Sequence, residues 1–242
     1  MMTRAKIRLY VDQPLSEGNR IELTRDHAHY LFGVMRQPVG ADVALFNGRD
    51  GEWTAQIAEA GKRAGVLVCT AQAAPQVMPP DLWVLFAPIK KARTDFIVEK
   101  AAEMGAARIM PVQTDFTNAG QVRQDRLQAH AIEAAEQCGA TFVPEVTQMA
   151  KLDRVLADWS PERQLMFCDE AAAGEGGTLD AARGGHWAIL IGPEGGFSQA
   201  ERAALRALPF GWRAALGPRI LRADTAAVAA MTVWQLALGD WR

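Results

Sequence analysis

The chain has 242 residues, 49% hydrophobic and 22% charged, a balance that excludes a disordered or fibrous protein and leaves room for one large domain or two modest ones. Its formal net charge is −2, from 26 basic and 28 acidic residues, so any affinity for nucleic acid must come from local patches rather than a global field. Cys69, Cys138 and Cys168 stand at unrelated spacings, and His27, His29, His130 and His186 form no metal signature around them. No metal is expected, and a reducing, cytoplasmic compartment is.

In chain order, the first ten residues place Arg4, Lys6 and Arg8 ahead of any acid, a small basic patch without the apolar core of a signal peptide. Residues 7–70 then read as short strands, "IRLYV", "RIELT", "ADVALFNGRDGEWTAQIAEA" and "AGVLVCT", and Asn47-Gly48 with Asp50-Gly51 predicts a hairpin over 43–58. The spacing of "DHAHYLFGVMR" predicts one short helix among these strands, with His29 packed on it. Prolines 75, 79 and 80 in "AQAAPQVMPPD" mark an extended linker, which places a small β-rich domain at 1–74 and a second domain at 75–242.

Beyond the linker, near-continuous apolar strands alternate with helices: "LWVLFAP" and "RTDFIVEKAAEMG", "RIMPVQ" and "RQDRLQAHAIEAAEQCG", "TFVPEV" and "KLDRVLADW", then "QLMFCDE", "WAILIG" and "SQAERAALRAL", "RAALG" and "TAAVAAMTVWQLALGDW". That pattern predicts an α/β fold with a parallel sheet covered on both faces. No stretch approaches the ~20 apolar residues of a membrane span, so no membrane association is expected. Ligands of such sheets sit beyond the carboxyl ends of the strands, which directs attention to the turns at 87–93, 168–174, 192–197 and 216–224.

The turn "AILIGPEGGFS" at 188–198 has neither the lysine and spacing of a Walker loop nor the G-x-G-x-x-G of a dinucleotide fold, and Glu194 would repel a phosphate. Ser198 and Glu201 fit a capping box, so a helix is expected to start there. Open backbone groups beside an acid suit a neutral base or a cationic ligand, of which S-adenosylmethionine is one; taken alone, the glycines need do no more than turn the chain. A second turn, "ALGPRILRADTAA" at 215–227, follows the last strand with Arg219 and Arg222 three apart and a helix start at Asp224 or Thr225. Two such turns at neighbouring strand ends belong to one site.

These two motifs together resemble the paired C-terminal motifs of the RsmE-type ribosomal RNA methyltransferases, which methylate N3 of a uridine in small-subunit (16S) rRNA. "HYLFGVMR" at 29–36, "LFNGRDGEWTAQI" at 45–57, "IVEKAAEMGAARIMPV" at 97–112 and "EAAEQCGATFVPEV" at 133–146 are similar to family segments in family order. The resemblance implies a SPOUT-type parallel sheet with a C-terminal trefoil knot, a small N-terminal PUA-like β-barrel for RNA, S-adenosylmethionine as methyl donor, and a homodimer. Carried over residue by residue, the donor would be held by Leu190, Gly192, Pro193, Glu194, Gly195 and Gly196, by Leu216, Gly217, Ile220 and Leu221, and by the turn after 164–168. The family has Thr-Glu-Thr after "RILR", where this chain has Ala223-Asp224-Thr225.

Uridine N3 carries a proton and its lone pair is tied up in the imide, so the anion left on O2 and O4 needs stabilising. Arg222 is the first catalytic candidate for that role, since a guanidinium stays charged. Asp224 is the second, either taking the proton or capping the last helix, and Glu194 is expected to orient its loop. For phosphates the candidates are Arg4, Arg8, Arg36, Lys90, Lys91, Arg93 and Arg219, with Lys6. Trp53 and Trp83 read as core. Alternatives are another SPOUT RNA methyltransferase, acting on a ribose 2′-O or another base, or a ribosome-associated RNA-binding protein without activity.

Overall fold

The computed structural model describes residues 5–118, 120, 122–169, 179, 182 and 184–241. Short apolar stretches in the first third pair as their alternation requires: β1 (Arg8–Tyr10), β2 (Arg20–Glu22), β3 (Asp42–Phe46), β4 (Glu52–Ala60) and β5 (Gly65–Ala74) form one sheet in the order β1-β3-β4-β5-β2. β1 runs parallel to β3, and the other pairs are antiparallel. Their inward side chains, among them Leu9, Ile21, Val43, Leu45, Ile57 and Leu67, make one buried core, with Trp53 packed against it.

The expected hairpin is present, and its turn explains its own composition. Asn47 Oδ1 accepts the backbone N–H groups of Arg49 and Asp50, and Asp50 Oδ2 accepts from Leu15 N–H at 2.9 Å and from the Asn47 amide. The Leu15 N–H, with help from Asn47, holds the Asp50 carboxyl below its ordinary range. Gly51 lies at φ 79°, and a Cβ there would meet Ala74 O at 2.3 Å, so no larger residue fits. β5 runs to Ala74, four residues past the predicted strand, because Trp53 and Glu52 still find partners at Gln72 and Ala74.

The single short helix expected near 26–36 is two pieces. α1 (Arg25–Ala28) is capped by the Thr24 side chain and passes directly into a π-helical turn, His29–Val34, closed by Met35 N–H on Tyr30 O. His29 is exposed here, not packed as the sequence suggested. Arg36 follows with φ 50°, a conformation uncommon for a side chain of its size.

The chain divides into two compact units, Met1–Met78 with Ala135–Val143, and Pro79–Ala134 with Pro144–Arg242. A linear boundary at residue 74 does not contain the 135–143 excursion, and Arg8 explains it. Its guanidinium donates to the carbonyls of Ala135 (2.7 Å), Glu136 (2.9 Å) and Ala140 (2.9 Å) and pairs with Glu52 at 2.7 Å, while Glu136 accepts Tyr10 N–H at 2.8 Å.

In the second unit, β6 (Leu82–Phe86), β7 (Arg108–Gln113), β8 (Glu145–Val146), β10 (Gln164–Cys168), β11 (Trp187–Ile191) and β12 (Gly211–Ala214) pair in the order β12-β10-β11-β6-β7-β8, all parallel. β9 (Ala150–Lys151), absent from the sequence reading because it has only two residues, adds to β7. All five residues of β11 are buried, as a central strand covered on both faces requires. α4 (Leu152–Ala157) and α5 (Gln199–Ala207) pack on the face of Leu85, Leu165, Phe167, Ala188 and Leu190, with Trp83 at its edge. α2 (Lys91–Glu103) packs on α6 (Ala223–Ala237), and α6 on β11; α3 (Gln124–Cys138) is the remaining helix described. β12 follows β11 in sequence but lies on the far side of β10. The last three strands of the chain thereby end side by side.

Candidate active site

The carboxyl ends of β10, β11 and β12 open into a cavity of about 180 Å³. One wall is the turn after β11, contributing Gly192, Pro193, Glu194 and Gly196; the other is the segment after β12, contributing Leu216, Gly217, Arg219, Ile220, Leu221 and Arg222. The glycine-rich turn is tight: Gly196 N–H bonds Pro193 O at 2.9 Å, and Gly196 itself sits at φ 69°. It delivers the chain into α5 through the expected capping box, with Ser198 Oγ accepting Glu201 N–H and Glu201 accepting Ser198 N–H.

Two residues of the glycine loop, Leu190 and Gly195, stand outside this lining. Leu190 is fully buried in the sheet core, since it precedes the end of β11 and faces α5. Gly195 faces a second, wider cleft on the other side of the Pro193–Glu194 wall, where Phe116 packs against it. The cavity is completed by Cys168 and Asp169 at the end of β10, where the strand-end rule had directed attention to the turn 168–174, and by Ala214, Ala215, Ala223 and Ala226. Asp169 was not itself named as a candidate. It is buried and held by Arg206 at 2.8 Å and Arg202 at 3.5 Å from α5. Burial pushes the Cys168 thiol up to about 12, so it stays neutral and serves as wall.

The last helix begins one residue before the expected start. Arg222 is its N-cap position, so Asp224 stands inside the first turn and does not cap it; its carboxylate accepts Thr225 N–H at 3.0 Å. Arg93, expected to contact phosphate, is instead drawn between two acids, with Glu194 at 3.5 Å and Asp224 at 3.7 Å. One guanidinium from the first turn of α2 thus bridges the two cavity loops.

Among the other cation candidates, Arg4 and the four-residue stretch that holds it lie outside the described residues. Arg8 is a correction. With side-chain exposure of 8% and its donors spent on three carbonyls and Glu52, it holds structure and does not offer itself to phosphate. Lys6, Arg36, Lys90, Lys91 and Arg219 are exposed. Lys90 and Lys91 line the second cleft, and Arg219 lines the cavity itself. Arg222 is exposed at the cavity mouth, with no ion pair among the described residues.

The inner wall combines apolar side chains (Ile191, Leu216, Ile220, Leu221), free-running backbone between 215 and 222, and the acids Asp169 and Glu194. Apolar faces suit a purine ring, backbone groups suit its edge, and acids suit a cation. Arg219 and Arg222 line the same cavity from the segment after β12. No group of three or more acids, histidines or cysteines among the described residues could hold a metal ion.

Comparison with known proteins agrees with this chemistry. Residues 77–235 match the RNA methyltransferase domain and residues 23–68 the RNA methyltransferase PUA domain. The ribosomal RNA small subunit methyltransferase E of Rickettsia conorii is 30% identical over 93% of each chain, and that of Bacillus subtilis 24% identical over 91% of each. In structure, the Neisseria gonorrhoeae ribosomal RNA small subunit methyltransferase E bound to S-adenosylmethionine superposes with a TM-score of 0.89 at 25% identity, covering 98% of this chain and 99% of that one. A Legionella pneumophila methyltransferase in complex with the same cofactor gives 0.88 at 29% identity, covering 98% and 100%.

Proposed function

The chain belongs to the RNA methyltransferase family, alongside the ribosomal RNA small subunit methyltransferases E, and from that premise we propose that it methylates N3 of a specific uridine in 16S ribosomal RNA with S-adenosylmethionine. The observation that carries the reading is the convergence of both motif loops, with the end of β10, on one cavity rich in backbone and apolar surface. The residues would fit the donor: apolar side chains for its purine, backbone groups for the purine's edge, and the Glu194 carboxylate for its positive charge. When bound, the donor supplies a methyl group already activated by its sulfonium, so the protein's task is position and electrostatics.

Arg222, exposed at the mouth and free of acidic partners, stabilises the negative charge that develops on the uracil oxygens as N3 loses its proton. Asp224, which pairs with Arg93 at 3.7 Å and accepts Thr225 N–H, is our candidate to take that proton directly or through water. Arg219, on the same loop, meets the RNA backbone.

We also propose that two copies associate. Val233 and Leu236 on α6, Phe96 on α2 and Ile220 beside the cavity are exposed apolar side chains in the same unit, a combination that suits burial against a second copy. Light scattering after gel filtration measures this. The order β12-β10-β11 is compatible with the knotted C-terminal crossing that the family resemblance implies. No helix among the described residues is long and apolar enough to cross a membrane, and a cytoplasmic site of action, where the ribosome is, goes with the substrate.

The direct test is transfer of labelled methyl from S-adenosylmethionine to small subunits that lack this modification, followed by nucleoside mass analysis. The expected product is 3-methyluridine. A 2′-O-methylated or other nucleoside would move the protein to a different RNA methyltransferase activity, and absence of donor binding by calorimetry would leave an RNA-binding protein without activity.

A further inference from the structure

We infer that the cleft beyond the Pro193–Glu194 wall is where the target nucleotide lies, and that Phe116 is the platform on which its base stacks. The inference rests on the methyltransferase reading and names the substrate subsite of that same active site. The cleft encloses about 720 Å³, within the usual range for a small-ligand site, and shares Pro193 and Glu194 with the donor cavity. A base seated there is therefore one loop's thickness from the donor.

Phe116 is 47% exposed, although it belongs to a segment that is otherwise tied down on all sides. Thr117 Oγ1 accepts Thr114 N–H at 2.8 Å, and Thr117 N–H bonds Thr114 O at 3.1 Å. Asp115 N–H donates to Glu201 at 2.8 Å, and Asp115 accepts the Ser198 hydroxyl at 2.6 Å. The capping box that starts α5 therefore also fixes the turn that displays the ring. A rigid turn that leaves a flat apolar ring half in water gains little for folding. Behind the ring lies Gly195, where an added Cβ would be 3.5 Å from Phe116 Cβ and 3.7 Å from Cδ2. Backbone of the donor loop thus supports the aromatic directly.

The cleft's charge completes the case. Its lining carries Lys90, Lys91, Arg123 and Arg126 against the single acid Glu194, in a chain whose net charge is −2. Arg126 is committed to Asp95, and Arg123 is paired with Asp125, but Lys90 and Lys91 are exposed. The turn that presents them is closed by the Thr94 hydroxyl, which accepts Ile89 N–H at 3.0 Å and donates to Ile89 O at 3.1 Å. An exposed aromatic flanked by fixed cations is the combination that binds single-stranded RNA, with the base on the ring and phosphates on the lysines.

The test is kcat/KM for methylation of unmodified small subunits by Phe116→Ala, Phe116→Leu and Phe116→Trp, with donor Kd by calorimetry and anisotropy of a labelled single-stranded uridine-containing RNA. Removing the ring should cost roughly tenfold to hundredfold in kcat/KM and in RNA affinity, as base stacking on an aromatic does, and leave donor Kd unchanged. Leucine keeps the apolar packing on Gly195 but has no flat face, so it should stay as low as alanine, while tryptophan should recover activity. Phe116→Leu at the wild-type level, or Phe116→Trp as low as Phe116→Ala, would overturn the inference. If the wild type transfers no methyl group, the proposed reaction has failed, and the RNA binding then decides separately: weakened binding in Phe116→Ala upholds the platform, and unchanged binding removes it.

Discussion

Single residues divide here by whether their partners are near or far in sequence. Ser198 and Glu201 could be read as a capping box because both members lie within one helical turn, and the Asn47–Gly51 turn could be read because its hydrogen bonds close over three residues. Arg8 could not, since its carbonyl acceptors lie 127 to 132 positions away and its identity alone says only that it is basic. Phe116 was equally silent, as a lone aromatic in a polar turn carries no periodicity. These assignments have different measurable consequences. On the proposed role of Arg222, Arg222→Ala should lower turnover by roughly a hundredfold or more in single-turnover assays while donor Kd by calorimetry stays within about twofold, because charge on the uracil oxygens develops only on the way to the transition state. Arg8→Ala should take from buried Glu52 its 2.7 Å partner and from the carbonyls of Ala135, Glu136 and Ala140 a charged donor, lowering unfolding free energy in urea by about 1.5–3 kcal/mol. Arg8→Lys should rescue little of this, since an ammonium cannot reproduce the fork that spans the carbonyls and Glu52.

At the scale of elements, the strand and helix alternation of the second unit was legible because buried parallel strands are apolar throughout, as β11 is. Short pieces such as β9, and the passage of α1 into a π-helical turn, were not, because neither leaves a period long enough to see. The start of α2 matters more than its composition suggested: Lys91 and the N-cap Lys90 line the second cleft, and Arg93 bridges the cavity loops. Removing the clamp in Arg93→Ala frees two partly exposed acids, and calorimetry should record donor binding weakened by about threefold to tenfold. Replacing Lys90 and Lys91 together by alanine should instead leave donor binding alone and reduce the slope of log K against log salt for RNA by about 1.4, the share of two phosphate contacts on a single strand.

For the whole molecule, the α/β class, the β-rich first part and the pairing of two motif loops all followed from pattern, whereas the excursion of residues 135–143 into the first unit followed from nothing local. Its cause is the set of hydrogen bonds from Arg8 and Tyr10 to that segment. Expression of residues 1–74 alone should therefore give a fragment without cooperative thermal unfolding by circular dichroism, because Arg8 and Tyr10 would lose their partners at 135–143; a fusion of residues 1–78 to 135–143 through a flexible linker should restore the transition. The same discontinuity orders the protein's own synthesis. A ribosome delivers the chain from the amino end, and the first unit lacks its final segment until Val143 has left the exit tunnel. By then β6, β7 and the part of α3 up to Ala134, all of the second unit, have also been made, so the first unit is completed only after the second has begun to emerge.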